Sequence, residues 1–173
     1  EGGQEGGDCA VEFRNACLKY PGAAEDSLTD LTFRVPRGQT VGVIGGTGSG
    51  KSSLINLIPR FYDATGGQVL VDGRDVRTWE PQELRRRIGV VPQKAELFAG
   101  SIRDNLKWGD ENADDAALLA AAEAAQAEDV VRNKGGLDAW IEQHGRNLSG
   151  GQRQRLTIAR ALVRRPEILI LDD

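Results

Sequence analysis

One run of eight residues, Gly45-Gly46-Thr47-Gly48-Ser49-Gly50-Lys51-Ser52, constrains this chain more than any other feature. It has the spacing G-x-x-x-x-G-K-[ST], and it lies between the apolar run Val41–Ile44 and a helical-period pattern through Leu54, Ile55, Leu57, Ile58 and Phe61. A short continuous apolar run predicts a strand buried on both faces, and the spacing that follows predicts a helix that Pro59 ends or kinks. Strand, glycine loop and helix in that order form a phosphate-holding unit. Glycines let the backbone curl so that successive N–H groups point inward, and the helix adds its positive N-terminal end. Lys51 is expected to reach the β- and γ-phosphates and the Ser52 hydroxyl to hold magnesium. The motif implies a bound nucleotide and leaves open which one.

The rest of the chain supplies the elements such a unit needs. Alternation from Cys9 through Val11 and Phe13, and again from Leu28 through Leu31, Phe33 and Val35, predicts half-buried antiparallel strands. Gln68–Val71 reads as a strand closing on an Asp72-Gly73 turn, and Ile88–Val91 as a buried strand. The alanine-rich, acidic stretch from Ile102 to Val131 predicts a helical block, with no glycine or proline between Asn112 and Lys134. Leu156, Ala159, Leu162 and Val163 stripe a later helix ended by Pro166, and Ile168–Leu171 is a second apolar strand, ending in Asp172. If the two apolar strands lie parallel in one sheet, Ser52 and Asp172 share its carboxyl edge, where open α/β sheets bind ligands and a second magnesium-side carboxylate belongs.

Composition narrows the class. A chain of 173 residues, 39% hydrophobic and 28% charged, fits one globular domain, with no apolar run of the ~18 residues a membrane-spanning helix requires. The net charge of -4 argues against a nucleic-acid-binding surface, and Arg85, Arg86 and Arg87 read as one solvated helix face. Residues 1–8, with four glycines and nothing apolar, read as a linker, and the absence of methionine suggests a numbering that begins inside a longer polypeptide. Cys9 and Cys17 lack metal-site spacing and are expected as buried, reduced thiols.

Leu148, Ser149, Gly150, Gly151 and Gln152 spell LSGGQ, in which Ser149 and Gln152 fit a capping box opening the helix of Leu156–Val163. This string resembles the signature motif of ABC ATPases. The resemblance spans Phe13 to Asp173. Tyr20, in Leu-Lys-Tyr-Pro-Gly, is similar to the residue that stacks on adenine in that family, and Gln93, in Val-Val-Pro-Gln, to the glutamine that senses magnesium and contacts a membrane domain. Leu97, Phe98, Gly100, Ser101, Ile102, Arg103, Asn105 and Leu106 resemble exporter-type members, whose ATPase follows a membrane domain on the same polypeptide.

The resemblance implies an α/β fold: a phosphate-loop NTPase core with a mixed or parallel sheet, an N-terminal antiparallel β subdomain, and a helical subdomain at about 94–165 carrying the signature. It implies ATP and Mg2+ as ligands, with Ser53 joining Tyr20 and Gly45–Ser52 in binding nucleotide. Ser52, Gln93 and Asp172 would lie around the metal, and Lys51, Gln93 and Asp173 would be catalytic. The implied partner is a second ABC domain, paired head to tail so that each signature reaches the other's γ-phosphate, at the cytoplasmic face of a membrane. A soluble ABC ATPase acting in translation or DNA repair is the alternative; a kinase or GTPase would have no use for LSGGQ.

Two departures from the family pattern are informative. Glu142, Gln143, His144 and Gly145 stand where exporters carry Gly-Glu-Arg-Gly, so contact with the membrane domain is expected to differ. Asp173 stands where most members place a glutamate that polarises water, which suggests a slow, degenerate site and a non-identical partner. The family's switch histidine would follow Asp173 and His144 cannot replace it, so residues 9–173 read as an incomplete ATP-binding domain, expected to hydrolyse ATP negligibly in isolation.

Overall fold

The alternating runs at the start of the chain form strands because alternation lets one face of each meet a core while the other meets water. In the computed structural model, which describes residues 9–43 and 50–172, they are β1 (Cys9–Leu18) and β2 (Leu28–Pro36), antiparallel, with Phe13 opposite Phe33. Their rings stack at 4.6 Å, and Val11, Phe13, Ala16 and Leu18 are buried. β3 (Gly66–Val71) pairs with the other edge of β1 and turns back into β4 (Arg74–Asp75), giving a four-stranded sheet in the order β2-β1-β3-β4. Asp72 and Gly73 link β3 and β4 with φ of 52° and 75°, the left-handed pair that a two-residue hairpin demands. Two helices complete this part, α1 (Lys51–Leu57) and α2 (Pro81–Arg86).

The chain divides into two compact units, Glu1–Arg85 and Arg86–Asp173. In the second, β5 (Ile88–Val91) runs parallel to β8 (Ile168–Leu171), matched residue for residue from Ile88 opposite Ile168 to Val91 opposite Leu171. Between them lie α3 (Ile102–Lys107), α4 (Asp115–Ala124), α5 (Glu128–Lys134) and α6 (Gly150–Leu162), and the short antiparallel pair β6 (Gly100–Ser101) and β7 (Trp140–Ile141). Ile102, Leu106, Leu118, Val130, Leu156 and Ala159, each at most 1% exposed, form one core among these helices. The expected α/β architecture, with an antiparallel N-terminal sheet and a helical block between two parallel strands, is the one observed.

Several local expectations are corrected. Val41–Val43 is not a strand: Val41 and Val43 are 48% and 51% exposed, because a strand needs a partner's ladder and these residues have none among the described residues. Ile44 lies outside the described residues. The second apolar strand forms, but Leu169 and Leu171 are 37% and 55% exposed, since its outer face is uncovered among the described residues. The block 102–131 breaks into three helices. The Ser101 and Asp114 side chains accept from the Asp104 and Ala117 amides and so start α3 and α4, while Gln126, at φ 56°, separates α4 from α5. Cys9 and Cys17 are free but half-buried, and the Cys17 thiol accepts from the Asp30 amide at 3.3 Å. The arginine run is engaged rather than simply solvated: Arg85 lies over the Phe61 ring at 5.2 Å, and Arg87 pairs with Glu167 at 2.9 Å.

Candidate functional site

Gly45–Ser49 and Asp173, named from the sequence as phosphate-loop and water-polarising residues, lie outside the described residues. The end of the loop is described. Gly50 precedes α1 at φ 90°, and a Cβ there would fall 2.8 Å from Leu28 Cδ2 and 2.9 Å from the Ser27 carbonyl, so only glycine fits. Among the described residues no side chain caps the first turn of α1. Lys51 and Ser52 are exposed on that turn. Backbone amides at a helix start, a cation and an exposed hydroxyl suit a phosphate bearing a magnesium ion.

Tyr20 belongs to the same unit. Pro21 and Gly22, the latter at φ 79°, turn the chain after β1, and the Ala23 amide donates to the Tyr20 carbonyl at 3.0 Å, as in a type II turn. The turn aims the tyrosine at α1, where its hydroxyl lies 3.0 Å from Ser53 Oγ and accepts from Asn56 Nδ2 at 3.1 Å. Its ring meets Tyr62 edge-on at 4.8 Å. Ser53 is only 3% exposed, so the hydroxyl expected to touch nucleotide is buried against Tyr20.

In the second unit, parallel pairing puts two other candidates at one sheet edge. Asp172 follows β8 directly, its amide donating to the Val91 carbonyl at 2.9 Å, and Gln93 follows β5 by two residues. The same carboxyl edge therefore carries a carboxylate and an exposed amide side chain, the oxygen-rich donor set that magnesium prefers. Ser52 belongs to the first unit, and the strand pairing expected to link it with Asp172 is not seen, Val41–Val43 joining no sheet among the described residues.

The signature is built at the start of α6. Ser149 Oγ accepts from the Gln152 amide at 3.2 Å, and Gln152 Oε1 accepts from the Ser149 amide at 2.9 Å, completing the capping box expected from the sequence. Leu148 is buried at 6% exposure and anchors the turn, while Ser149, Gly150 and Gly151 face solvent. A Cβ on Gly151 would meet nothing within 4 Å among the described residues, so no close packing there requires the glycine, and it leaves the backbone surface bare.

The sequence reading missed the groups that hold this turn. Asn147 Oδ1 accepts from the Glu142 amide at 2.9 Å, Asn147 Nδ2 donates to the Trp140 carbonyl at 3.0 Å, and Lys134 Nζ donates to the Asn147 carbonyl at 2.8 Å. His144, at φ 60°, meets Glu96 at 3.0 Å, and Arg160 Nη2 donates to the Glu96 carbonyl at 2.9 Å, tying the segment after Gln93 to α6. Burial pushes the Arg160 guanidinium below its ordinary value, though arginine remains charged. Asn105, 1% exposed, bonds Phe98 N and O and Ser101 O, so the exporter-like stretch is a structural brace. Asn105 stands among Arg103, Asp104, Leu106 and Lys107, a mixed stretch that gives no sign of its burial, and a clamp such as Asn147 leaves none either.

The profile of the ABC transporter family matches residues 28–173. The chain is 43% identical over 164 residues to an uncharacterized ABC transporter ATP-binding protein, YfiB, of Bacillus subtilis (strain 168), covering 94% of this chain and 29% of that protein. It is 45% identical over 165 residues to an ATP-dependent lipid A-core flippase of Xanthomonas oryzae pv. oryzae (strain MAFF 311018), covering 94% of this chain and 28% of the flippase. Among solved structures, that of a bacterial Atm1-family ABC exporter with ATP bound superposes with a TM-score of 0.83 at 36% identity, covering 95% of this chain and 29% of the exporter. The chain thus spans less than a third of the length of these relatives. A family match over most of the chain, joined to the capped LSGGQ turn, makes this chain a member of the ABC transporter family and places it in that family's ATP-binding domain.

Proposed function

We propose that this chain binds and hydrolyses ATP with magnesium, in a head-to-tail pair with a second ABC domain, to drive export by a membrane domain carried on the same polypeptide. The observation that carries the reading is the open signature turn. Ser149 Oγ accepts from the Gln152 amide, so its own proton remains available to an outside acceptor, and Gly150 and Gly151 leave the first turn of α6 bare. A γ-phosphate held by a partner's loop is the acceptor that fits. The exporter and flippase names of the relatives support the direction and the membrane setting, on the cytoplasmic face where ATP is supplied.

In the chain's own site, Gly45–Ser52 would wrap the phosphates, Lys51 would neutralise the β- and γ-oxygens, and Tyr20 would stack on the base. Magnesium, held by Ser52, Gln93 and Asp172, would supply charge neutralisation at the transferred phosphoryl group. Asp173 would orient the attacking water. Residues 9–173 are read as belonging to the ATP-binding domain, with 94–165 as its helical subdomain and 1–8 as a linker.

Lys51→Ala removes the charge-assisted contact to phosphate and is expected to weaken ATP at least ~10-fold, since hydrogen bonds between charged groups are worth about 1.5–3 kcal/mol. Equilibrium binding of labelled ATP to the full-length protein measures it. Unchanged affinity in the variant would sink the proposal.

A further inference from the structure

Three cationic side chains close on the signature turn, and each ends on a backbone carbonyl. Lys134 Nζ, at the end of α5, donates to the Asn147 carbonyl at 2.8 Å, Arg153 Nη1 to the Gly145 carbonyl at 3.5 Å, and Arg155 Nη1 to the Gln126 carbonyl at 3.0 Å. Arg155 Nε also donates to the Gly151 carbonyl at 3.4 Å, within the signature itself. The Arg153 guanidinium passes beside Gly150, its Nη2 3.8 Å from where a Cβ on that glycine would stand. A Cβ on Gly145, at φ 67°, would fall 2.9 Å from Arg153 Cδ, so glycine there lets the arginine stem lie against the turn. A carbonyl orders a cation without cancelling its charge, as a carboxylate would. Among the described residues Lys134 and Arg153 make no ion pair, and Arg155 meets only Asp129, at 3.5 Å. The surrounding sequence leaves the charge uncancelled as well: residues 143–166 hold six arginines and no carboxylate, in a chain whose net charge is -4.

We infer that Lys134, Arg153 and, partly offset by Asp129, Arg155 form a cationic layer behind the signature turn, which draws a partner domain's γ-phosphate onto the uncharged surface of Ser149, Gly150 and Gly151 without touching it. The inference rests on the reading of the signature as the face that meets that phosphate. The turn itself offers amides, a hydroxyl and two bare glycines, groups that bond an anion but bring no net charge. A triphosphate must shed part of its hydration as the domains meet, and neutral donors alone return only part of that cost. Coulomb's law in water gives about 4-fold in binding for a unit charge ~10 Å from a doubly charged phosphate. Such a field falls off gradually, so it acts during approach, before Ser149 and the amides reach bonding distance. Fixing the cations on carbonyls sets their positions in advance, and no long side chain has to be ordered as the pair closes.

Closure of the two ABC domains by a non-hydrolysable ATP analogue, read as the distance between spin labels in the reconstituted transporter, tests this. Wild type is compared with Lys134→Gln, Arg153→Met, their double variant, Lys134→Arg and Asp129→Asn at ~0.01 M and ~1 M monovalent salt, where screening lengths are ~30 Å and ~3 Å. Lys134→Gln and Arg153→Met are each expected to raise the analogue concentration for half-closure about 2- to 4-fold at the lower salt, the double variant showing the product of the two. Asp129→Asn leaves Arg155 uncancelled and should lower that concentration about 2-fold. At the higher salt every ratio to wild type should fall within about 1.5-fold, and Lys134→Arg should stay within about 1.5-fold at both. A layer that only braced the turn would weaken closure equally at both salts when lost, and Asp129→Asn would not tighten it; either result overturns the inference. Lys134 is exposed, so its variants decide should Arg153→Met not fold, and closure unaltered by Lys134→Gln at the lower salt overturns the inference too. Ser149→Asp separates the two readings. If it weakens closure while the cation variants change nothing, the cationic layer alone fails; if it leaves closure unaltered, the signature meets no phosphate and both fail.

Discussion

Glu12 lies on β1 between two guanidinium groups, Arg14 at 2.9 Å and Arg34 at 3.2 Å, and its side chain is 11% exposed while each arginine's is 50% exposed. The Arg14 hydrogen bond, helped by the charges of Arg14 and Arg34, holds its carboxyl below the ordinary value of 4.5, against the opposing effect of burial. The cluster matters because it ties β2 to β1, which leads into the Tyr20 turn. A carboxyl lowered in the folded state contributes stability that is present above its ordinary, unfolded value and lost as pH falls through the folded one, since the unfolded chain then binds more protons. Glu12→Gln is therefore expected to lower stability by about 1–2 kcal/mol near neutral pH, discounted for the exposure of both arginines. Urea unfolding at pH 6.5 and at pH 3 measures it. The gap between wild type and variant should narrow at the acid end, and a gap that stays constant would mean that packing, not charge, holds the cluster.

At the scale of elements, α6 shows how a structural device can also be a functional one. The Ser149–Gln152 box satisfies amides of the first turn, and losing a cap of this kind costs about 1 kcal/mol. Aspartate caps as well as serine, but it would set a carboxylate where a phosphate oxygen is proposed to sit. Ser149→Asp is thus expected to leave the unfolding midpoint nearly unchanged while phosphate release by the assembled transporter falls at least ~10-fold. If stability and turnover fall together, the turn is only a cap; if neither changes, the signature faces no phosphate. This box was legible in the sequence because a cap is local: four consecutive residues contain both partners and the amides they satisfy. The β1–β2 pair was legible for a related reason, its alternation recording which faces are covered, and Ile88–Val91 and Ile168–Leu171 were legible as strands, though their pairing with each other and the exposure of Leu169 and Leu171 were not. The fate of Val41–Val43 was not, because an apolar run records the preference for a neighbour and not whether a neighbour pairs with it. The burial of Ser53 against Tyr20 was equally illegible, since thirty-three residues separate the partners and only the turn at Pro21-Gly22 brings them together.

At the scale of the molecule, the proposed site is shared between chains, so a defect in one carboxylate and an intact signature have separate consequences. No helix among the described residues is long and apolar enough to cross a membrane, and the chain covers less than a third of the relatives named as flippase and exporter. Asp173 is one methylene shorter than the glutamate the family pattern carries there, and one C–C bond is about 1.5 Å. A misplacement of about 1 Å at a reacting centre costs on the order of 100-fold, and positioned general-base help is worth roughly 10² to 10⁴ in rate. The site built on Lys51 and Asp172 should therefore bind ATP and turn it over slowly, while Ser149 and Gly151 still serve a partner's site. Such a division of labour favours a non-identical partner with glutamate at the matching position. Single-turnover hydrolysis in the reconstituted transporter separates the two sites as a slow and a fast phase. Asp173→Glu is expected to accelerate the slow phase at least ~10-fold and leave the fast one unchanged, whereas Ser149→Asp should slow the fast phase alone. A fast, fully active homodimer in which Asp173→Glu alters neither phase would show that aspartate polarises water as well as glutamate, and the degenerate-site proposal would fall.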